Sequence, residues 1–276
     1  MAMTSLAQNI KGEALATEKG TSLWADAYIR LKKNKLAMLG GVVVILILIL
    51  CFIIAPILAA SGMNANEQDL TNRFAGVGEK GVLGTDQLGR DLFMRVLEGG
   101  QISLLVAIMA TCMTVTIGVI YGGIAGYVGG TLGNTMMRIV DGLLAMPFLI
   151  IVILFREIIT PYIDTLAKFL IDDWGWNDNT VLRFANLIPL TIAIAGFGWL
   201  SMGRIVRSAA ASLSKQEFVE AARSLGISHR RILFRHILPN MLGPVIIYAT
   251  LTIPSFILYE ATLSYIGLGI EPPNSS

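Results

Sequence analysis

Five long apolar runs constrain this chain more than any other feature: residues 36–58, 102–128, 135–155, 187–205 and 241–268. Each reaches the roughly 20 residues that a helix needs to cross ~30 Å of hydrocarbon. None alternates apolar and polar residues as a barrel strand would, so all five are predicted to be helices. The composition agrees: 54% of the 276 residues are hydrophobic and only 14% are charged. That combination excludes a soluble globular domain and predicts an all-α, polytopic membrane protein. Ala59-Ala60-Ser61 superficially resembles a signal cleavage site, but the apolar run before it exceeds the ~7–15 residues of a signal core, so the first span is read as an anchor.

Orientation follows from the lysines and arginines beside the spans. Arg30, Lys32, Lys33 and Lys35 precede the first run, and seven basic residues lie between Arg204 and Arg235 after the fourth. Both segments are expected in the cytoplasm. The connection 60–101 holds Glu67, Asp69, Glu79, Asp86, Asp91 and Glu98 against four bases, and 156–183 is acid-rich too; both are expected outside. The alternation is consistent with an N-terminus inside. The segments expected from this reading are a cytoplasmic tail at 1–35, in which Trp24 to Lys35 form an interfacial helix, a first span at 36–58, an outer connection at 59–101 and a transmembrane domain at 102–276.

The cytoplasmic loop 207–238 is unusual because it contains a folded amphipathic segment, EFVEAARSLGISHRRILFRHILPN, between two membrane spans. Ser214 and Glu217 are spaced as a capping box, which predicts a helix starting near Lys215. Phe218, Val219, Ala222 and Leu225 fall on one face, and Gly226 stands where a left-handed terminating residue is wanted. The result would be about 16 Å of helix. A second short helix is expected over 229–236, and Pro239 suits the first turn of the next one. Physics alone supports two placements equally: docking against a soluble partner, or lying on lipid.

Glu220-Ala221-Ala222, Gly226 four positions later and Leu238-Pro239 resemble the EAA loop of ATP-binding cassette importer permeases, and the full string is similar to the dipeptide, oligopeptide and nickel permease family, its second-permease branch. His236 stands where the general loop pattern favours an apolar residue. The resemblance covers roughly 84–273, interrupted at 156–183, and includes the outer stretch GTDQLGRDLFMRVLEGGQISL. It implies a type I importer permease fold, placement in a prokaryotic inner membrane, and a loop that docks on a cytoplasmic ATPase through Glu217, Glu220, Ala221, Ala222, Arg223 and Gly226. It implies as partners a homologous second permease, two ATPase subunits that hold ATP and magnesium, and an extracytoplasmic solute-binding protein. The substrate would be a di- or oligopeptide, with nickel complexes, glutathione or sugars as alternatives. The family has a sixth span after a similar proline pair, so a sixth helix is expected beyond Glu271-Pro272-Pro273.

Other residues carry local expectations. Gly118, Gly122, Gly126 and Gly130 recur every four residues and bare one helix face, for static packing or for motion during gating. Pro147 and Pro254 interrupt the third and fifth spans and favour kinks, either lining a cavity or frozen in packing. Asp141 and Glu260 are the candidate polar groups within spans, as caps, interhelical hydrogen-bond partners or functional groups. Neither is placed at the midplane, which disfavours the rival class, an ion-coupled secondary transporter. Thr85 is expected to cap a helix whose apolar face is Leu88, Leu92, Val96 and Leu97. Trp174 and Trp176 fit an aromatic belt, or an outer contact with a binding protein or ligand.

No catalytic constellation and no metal ligand set is visible. Cys51 and Cys112 sit within apolar runs as small hydrophobes. Leu97-Glu98-Gly99-Gly100-Gln101 mimics an ATP-binding cassette signature, but the sequence contains no GxxxxGK[ST] phosphate loop, so energy is expected from a partner, not from a nucleotide or other cofactor on this chain.

Overall fold

The computed structural model describes residues 28–29 and 31–269. Trp24 and the proline pair at 272–273 lie outside them, and with them the interfacial placement of Trp24 and the expected sixth helix. Helices are the only regular elements among the described residues, apart from one isolated bridge between Thr85 and Asp91. The chain divides at Ile53/Ile54 into two units.

In the first unit, residues 28–29 and 31–33 are helical, and Asn34 then interrupts the helix. Its side chain accepts a hydrogen bond from Ala37 N at 3.2 Å and so starts α1 (Lys35–Ile49). The predicted helix to Lys35 therefore ends earlier, because an asparagine oxygen competes for a free first-turn amide. The π turn (Leu50–Ile54) reaches the division and α2 (Ala55–Ala60) belongs to the second unit; by length and composition residues 35–60 make a candidate span of 26 residues.

The second unit is built on α3 (Leu92–Val128) and α6 (Asp178–Leu213), of 37 and 36 residues. At 1.5 Å per residue each is about 55 Å long, well beyond the ~30 Å of hydrocarbon. Around them lie α4 (Gly130–Leu144), α5 (Phe148–Asp172) and α10 (Leu242–Tyr265). Between α6 and α10 come α7 (Glu217–Ser224), α8 (His229–Ile232), a π turn (Leu233–Ile237) and α9 (Leu238–Asn240). A core of Ile102, Val106 and Ala110 from α3, Leu190 and Ile194 from α6, and Phe256 from α10 holds the three helices together.

The third run departs from a simple span. α4 and α5 meet at a bend of 93°. Pro147 is the residue that precedes α5, not a kink inside a continuous helix. Proline donates no N–H and disfavours helical geometry in the residue before it, so two helices with different directions form at Ala145-Met146-Pro147. Pro254 does sit inside α10, and two further prolines lie inside helices, Pro161 in α5 and Pro189 in α6.

The acid-rich connection 156–183 is not a loop. α5 runs on to Asp172 and α6 begins at Asp178, leaving only 173–177 as a turn. Ile163, Ala167 and Leu170 share a face at helical spacing and pack near Val181 and Ala185 of α6. The charges occupy the other faces, which is why charge density alone suggested a loop. Trp174 and Trp176 are exposed at the turn, Trp176 on the rim of an apolar groove of ≈ 250 Å³.

Candidate functional site

The loop after α6 is a short helix with a defined start, stop and seat. Gln216, with φ −82° and ψ 150°, precedes α7 and makes no side-chain cap. Ser214 instead donates to the carbonyl of Ala211 at 2.9 Å, so the predicted capping box is absent and the helix begins at Glu217. With eight residues it is ~12 Å long, shorter than expected. Glu217 and Glu220 lie in the first turn, where their charge complements the unpaired amides.

The stop is the one the sequence predicts. Gly226 has φ +71°, its amide donates to Arg223 O at 2.9 Å, and the amide of Ile227 donates to Ala222 O at 3.1 Å. These two bonds are a Schellman motif, and glycine occupies its left-handed position without a Cβ penalty.

The seat divides the predicted apolar face in two. Val219 and Ala222 are buried in a core with Met202, Val206 and Ala210 of α6, Tyr127 of α3, and Ile232, Ile237 and Met241. Phe218 and Leu225 turn outward, Leu225 being 80% exposed. At about 100° per residue, Phe218, Ala221 and Leu225 form one stripe and Val219 and Ala222 another. The outer surface of α7 is thus Phe218, Ala221 and Leu225 flanked by Glu217 and Glu220, while Ala222, grouped by sequence with the exposed residues, faces inward.

A polar clasp fixes the loop to the end of α3. The Tyr127 hydroxyl and His229 Nδ1 lie 2.7 Å apart, and the Arg223 guanidinium carbon stands 5.3 Å from the Tyr127 ring centroid. Sequence reasoning missed Tyr127 and His229, because nothing in the local pattern pairs residues so far apart in the chain.

Behind the seat, Gly118, Gly122 and Gly126 face α6. A Cβ on Gly118 would come within 2.7 Å of Met202 Cβ, one on Gly122 within 2.9 Å of Val206 Cβ, and one on Gly126 within 2.7 Å of Ala210 Cβ. Gly203 supplies the matching gap on α6, close to the Gly118 carbonyl. Gly130 does not belong to this seam. Gly129 ends α3 with φ +61°, Gly130 follows with φ +55°, and a Cβ there would meet nothing within 4 Å. The helix stops at Val128, two residues before the fourth repeat, so the spacing no longer describes a face.

Both candidate polar residues join helices. Asp141 on α4 pairs with Arg204 on α6 at 2.6 Å, with both side chains more than half exposed, and Arg207 bonds Asn134 at 2.7 Å beside them. Glu260 is 0% exposed and accepts from Ser103 of α3 at 2.6 Å and from Ser264 at 2.9 Å. Two hydroxyl donors at a buried carboxyl compensate part of the desolvation cost.

The stretch before α3 is a compact hydrogen-bonded cap. Asp91, not Thr85, starts the helix by accepting from Met94 N at 3.0 Å. Thr85 accepts from Ala75 N at 2.9 Å and donates to Asn72 O, tying two turns together, and Leu88 lies outside the helix. Val96 is exposed, leaving Met94 and Leu97 as the buried pair. Asp86 accepts from Leu88 N at 2.8 Å, from Arg90 N at 3.0 Å and from Arg90 Nε at 2.7 Å. Burial pushes its carboxyl up, but those bonds and the Arg90 charge outweigh burial and hold it below the ordinary carboxylate value. Asp69 is also well below that value, through Lys80, Thr71 and Asn72. Gly84 and Gly89 have φ of +80° and +73°, with neighbouring backbone where a Cβ would stand.

Residues 118–276 match the family described as binding-protein-dependent transport system inner membrane component, and residues 22–76 match the N-terminal TM domain of oligopeptide transport permease C. The chain is similar to the oligopeptide transport system permease protein OppC of Bacillus subtilis (strain 168), 37% identical over 260 residues that are 94% of this chain and 76% of that protein. OppC of Escherichia coli (strain K12) is 38% identical over 258 residues, 94% of this chain and 77% of that protein. The dipeptide transport system permease protein DppC of Bacillus subtilis (strain 168) is 38% identical over 251 residues, 91% of this chain and 70% of that protein. By its helical membrane architecture and by these matches, the chain belongs to the family of binding-protein-dependent transport system inner membrane components, among the permeases of oligopeptide and dipeptide transport systems.

Proposed function

We propose that this chain is one of two permease subunits of an ATP-driven importer, and that α7 is the element through which ATPase subunits act on it. The observation that carries the proposal is the double role of Val206 and Ala210. On one side they meet the bare backbone of Gly122 and Gly126; on the other they belong to the core that seats Val219 and Ala222. A push on α7 therefore reaches α6 and α3 through close-packed backbone, which moves as a body because interiors packed to this density do not deform continuously.

The exposed stripe of Phe218, Ala221 and Leu225, edged by Glu217 and Glu220, is the docking surface for the ATPase. Arg223 acts on Tyr127, Ala222 seats the helix and Gly226 ends it. ATP and magnesium reside on the two ATPase subunits, and this chain carries out no bond chemistry. A homologous permease completes the translocation path, and an extracytoplasmic binding protein delivers the substrate. The names of the similar permeases support di- or oligopeptides as that substrate. The N-terminus and the loop 207–238 lie in the cytoplasm, as the basic residues beside them support.

The test uses the complete transporter, purified in mild detergent with co-purifying subunits identified by mass spectrometry and peptide uptake measured after reconstitution. A second permease and ATPase subunits in stoichiometric amounts are expected. Glu220→Lys and Leu225→Asp should abolish ATP-dependent uptake while the permease pair still assembles. Normal uptake by both variants, or transport by this chain without ATPase subunits, would overturn the proposal.

A further inference from the structure

The chain from α8 to α9 changes character. His229–Asn240 carries Arg230, Arg231 and Arg235 and no acid. All three are exposed, and none makes an ion pair among the described residues. With Ser228, Phe234 and Pro239 they enclose an open groove of ≈ 610 Å³. Pro239 also lines a second groove, of ≈ 390 Å³, which runs between Val115, Val119 and Ile120 of α3 and Leu238, Leu242 and Val245. That second groove has no charged side chain. A basic bowl thus continues, through one shared residue, into an apolar trough between two membrane-spanning helices.

We propose that bowl and trough together bind an anionic phospholipid, with its phosphate on the guanidiniums and an acyl chain in the trough. The charge pattern selects this occupant. Guanidiniums present planar forks of N–H donors that match phosphate oxygens, and three of them without an acidic neighbour leave a net positive site beside the membrane. An apolar helix alone would fill the trough and leave the bowl empty; a soluble acidic segment would fill the bowl and leave the trough open. Depth agrees as well, since Val115 and Ile120 stand about 12–20 Å along α3 from its end at Val128, within reach of one leaflet's hydrocarbon. The Phe234 ring, half exposed beside the bowl, sits where an aromatic side chain meets the glycerol region. The site uses a surface of the loop different from the α7 stripe and rests on the membrane placement alone, not on ATPase docking.

The test is photo-crosslinking in the complete transporter, reconstituted with acyl-labelled phosphatidylglycerol or with the equivalent phosphatidylcholine, followed by peptide mapping. Phosphatidylglycerol should label 115–120 and 238–245, and phosphatidylcholine much less. R231Q should lower the labelling about fivefold and R230Q/R231Q/R235Q further, in line with the attraction of one basic residue to an anionic surface. L242W keeps the arginines but fills the trough, and should block labelling at 115–120 even if the triple variant fails to assemble. Equal labelling by the two lipids, or labelling unchanged in R231Q and L242W, would overturn the site. So would loss of co-purifying ATPase subunits in R231Q with lipid labelling intact, which would make the bowl a protein contact. Because lipid labelling and subunit recovery are read separately, failure of the ATPase docking proposal is distinguishable from failure of this one.

Discussion

The seam between α3 and α6 and the loop that follows α6 both depend on glycine, for opposite reasons. In the seam, Gly118, Gly122 and Gly126 have ordinary helical backbone, and a side chain is excluded by what lies opposite. In the loop, Gly226 has open space around its missing Cβ, and a side chain is disfavoured by its own φ of +71°. One glycine type answers to tertiary packing and the other to local backbone. The first should govern whether the helices assemble, the second whether the loop holds its shape.

The comparison can be broken first at the seam. Gly122→Leu would force Val206 and the Gly203 carbonyl away from α3, and overpacking of this kind costs about 1–3 kcal/mol or more. The expected outcome is loss of folded, assembled transporter in size-exclusion chromatography. Full recovery would show that the seam is looser than the geometry indicates. At Gly226 a smaller effect is expected: Gly226→Ala adds roughly 1–2 kcal/mol of left-handed strain, so melting of the complex should barely shift while hydrogen exchange across 222–229 rises and uptake falls. Equal destabilisation by both substitutions would erase the distinction.

Two finer measurements sharpen it. Tyr127→Phe removes the hydroxyl that contacts His229 but keeps the ring under Arg223, so it should cost about 0.5–1.5 kcal/mol, visible as faster exchange in 229–233. Asp141→Asn should have the smallest effect on melting, at most about 1 kcal/mol, because its pair with Arg204 is solvent-exposed.

The cap before α3 supplies a pH contrast with both regions. Asp86 has a folded value below its ordinary 3.8, so its stabilising contribution is complete above that value and is lost as pH falls through the lower folded one. Proteolysis of 84–95 should thus be unchanged from pH 5 to pH 8 and accelerate below about pH 4. Asp86→Asn should weaken that acid dependence, leaving the share due to Asp69, and should not touch the seam or the loop.

Much of this was legible from residues alone wherever the cause is local. Long apolar runs indicated membrane helices, although the third of them breaks at Pro147, and a glycine after a helical stripe indicated the Schellman stop. The EAA pattern pointed to the segment that the structure shows as a seated helix. Errors arose where local signals compete. Ser214 could cap α7 by spacing but bonds Ala211 instead, and Thr85 could cap α3 but ties Ala75 to Asn72. Both are hydroxyls with several acceptors in reach, and only the folded geometry selects one.

The sequence by itself determined a helical membrane protein and the existence of a folded loop, because hydrophobic length and backbone preference act within a few residues. Tertiary structure alone decided that 156–183 is a helical hairpin, that α4 and α5 diverge by 93°, and that the fourth glycine leaves the seam. It alone brought Tyr127 to His229 and Ser103 to Glu260. Those outcomes depend on which helix faces which, and a contact between residues more than a hundred positions apart carries no signature in the neighbourhood of either.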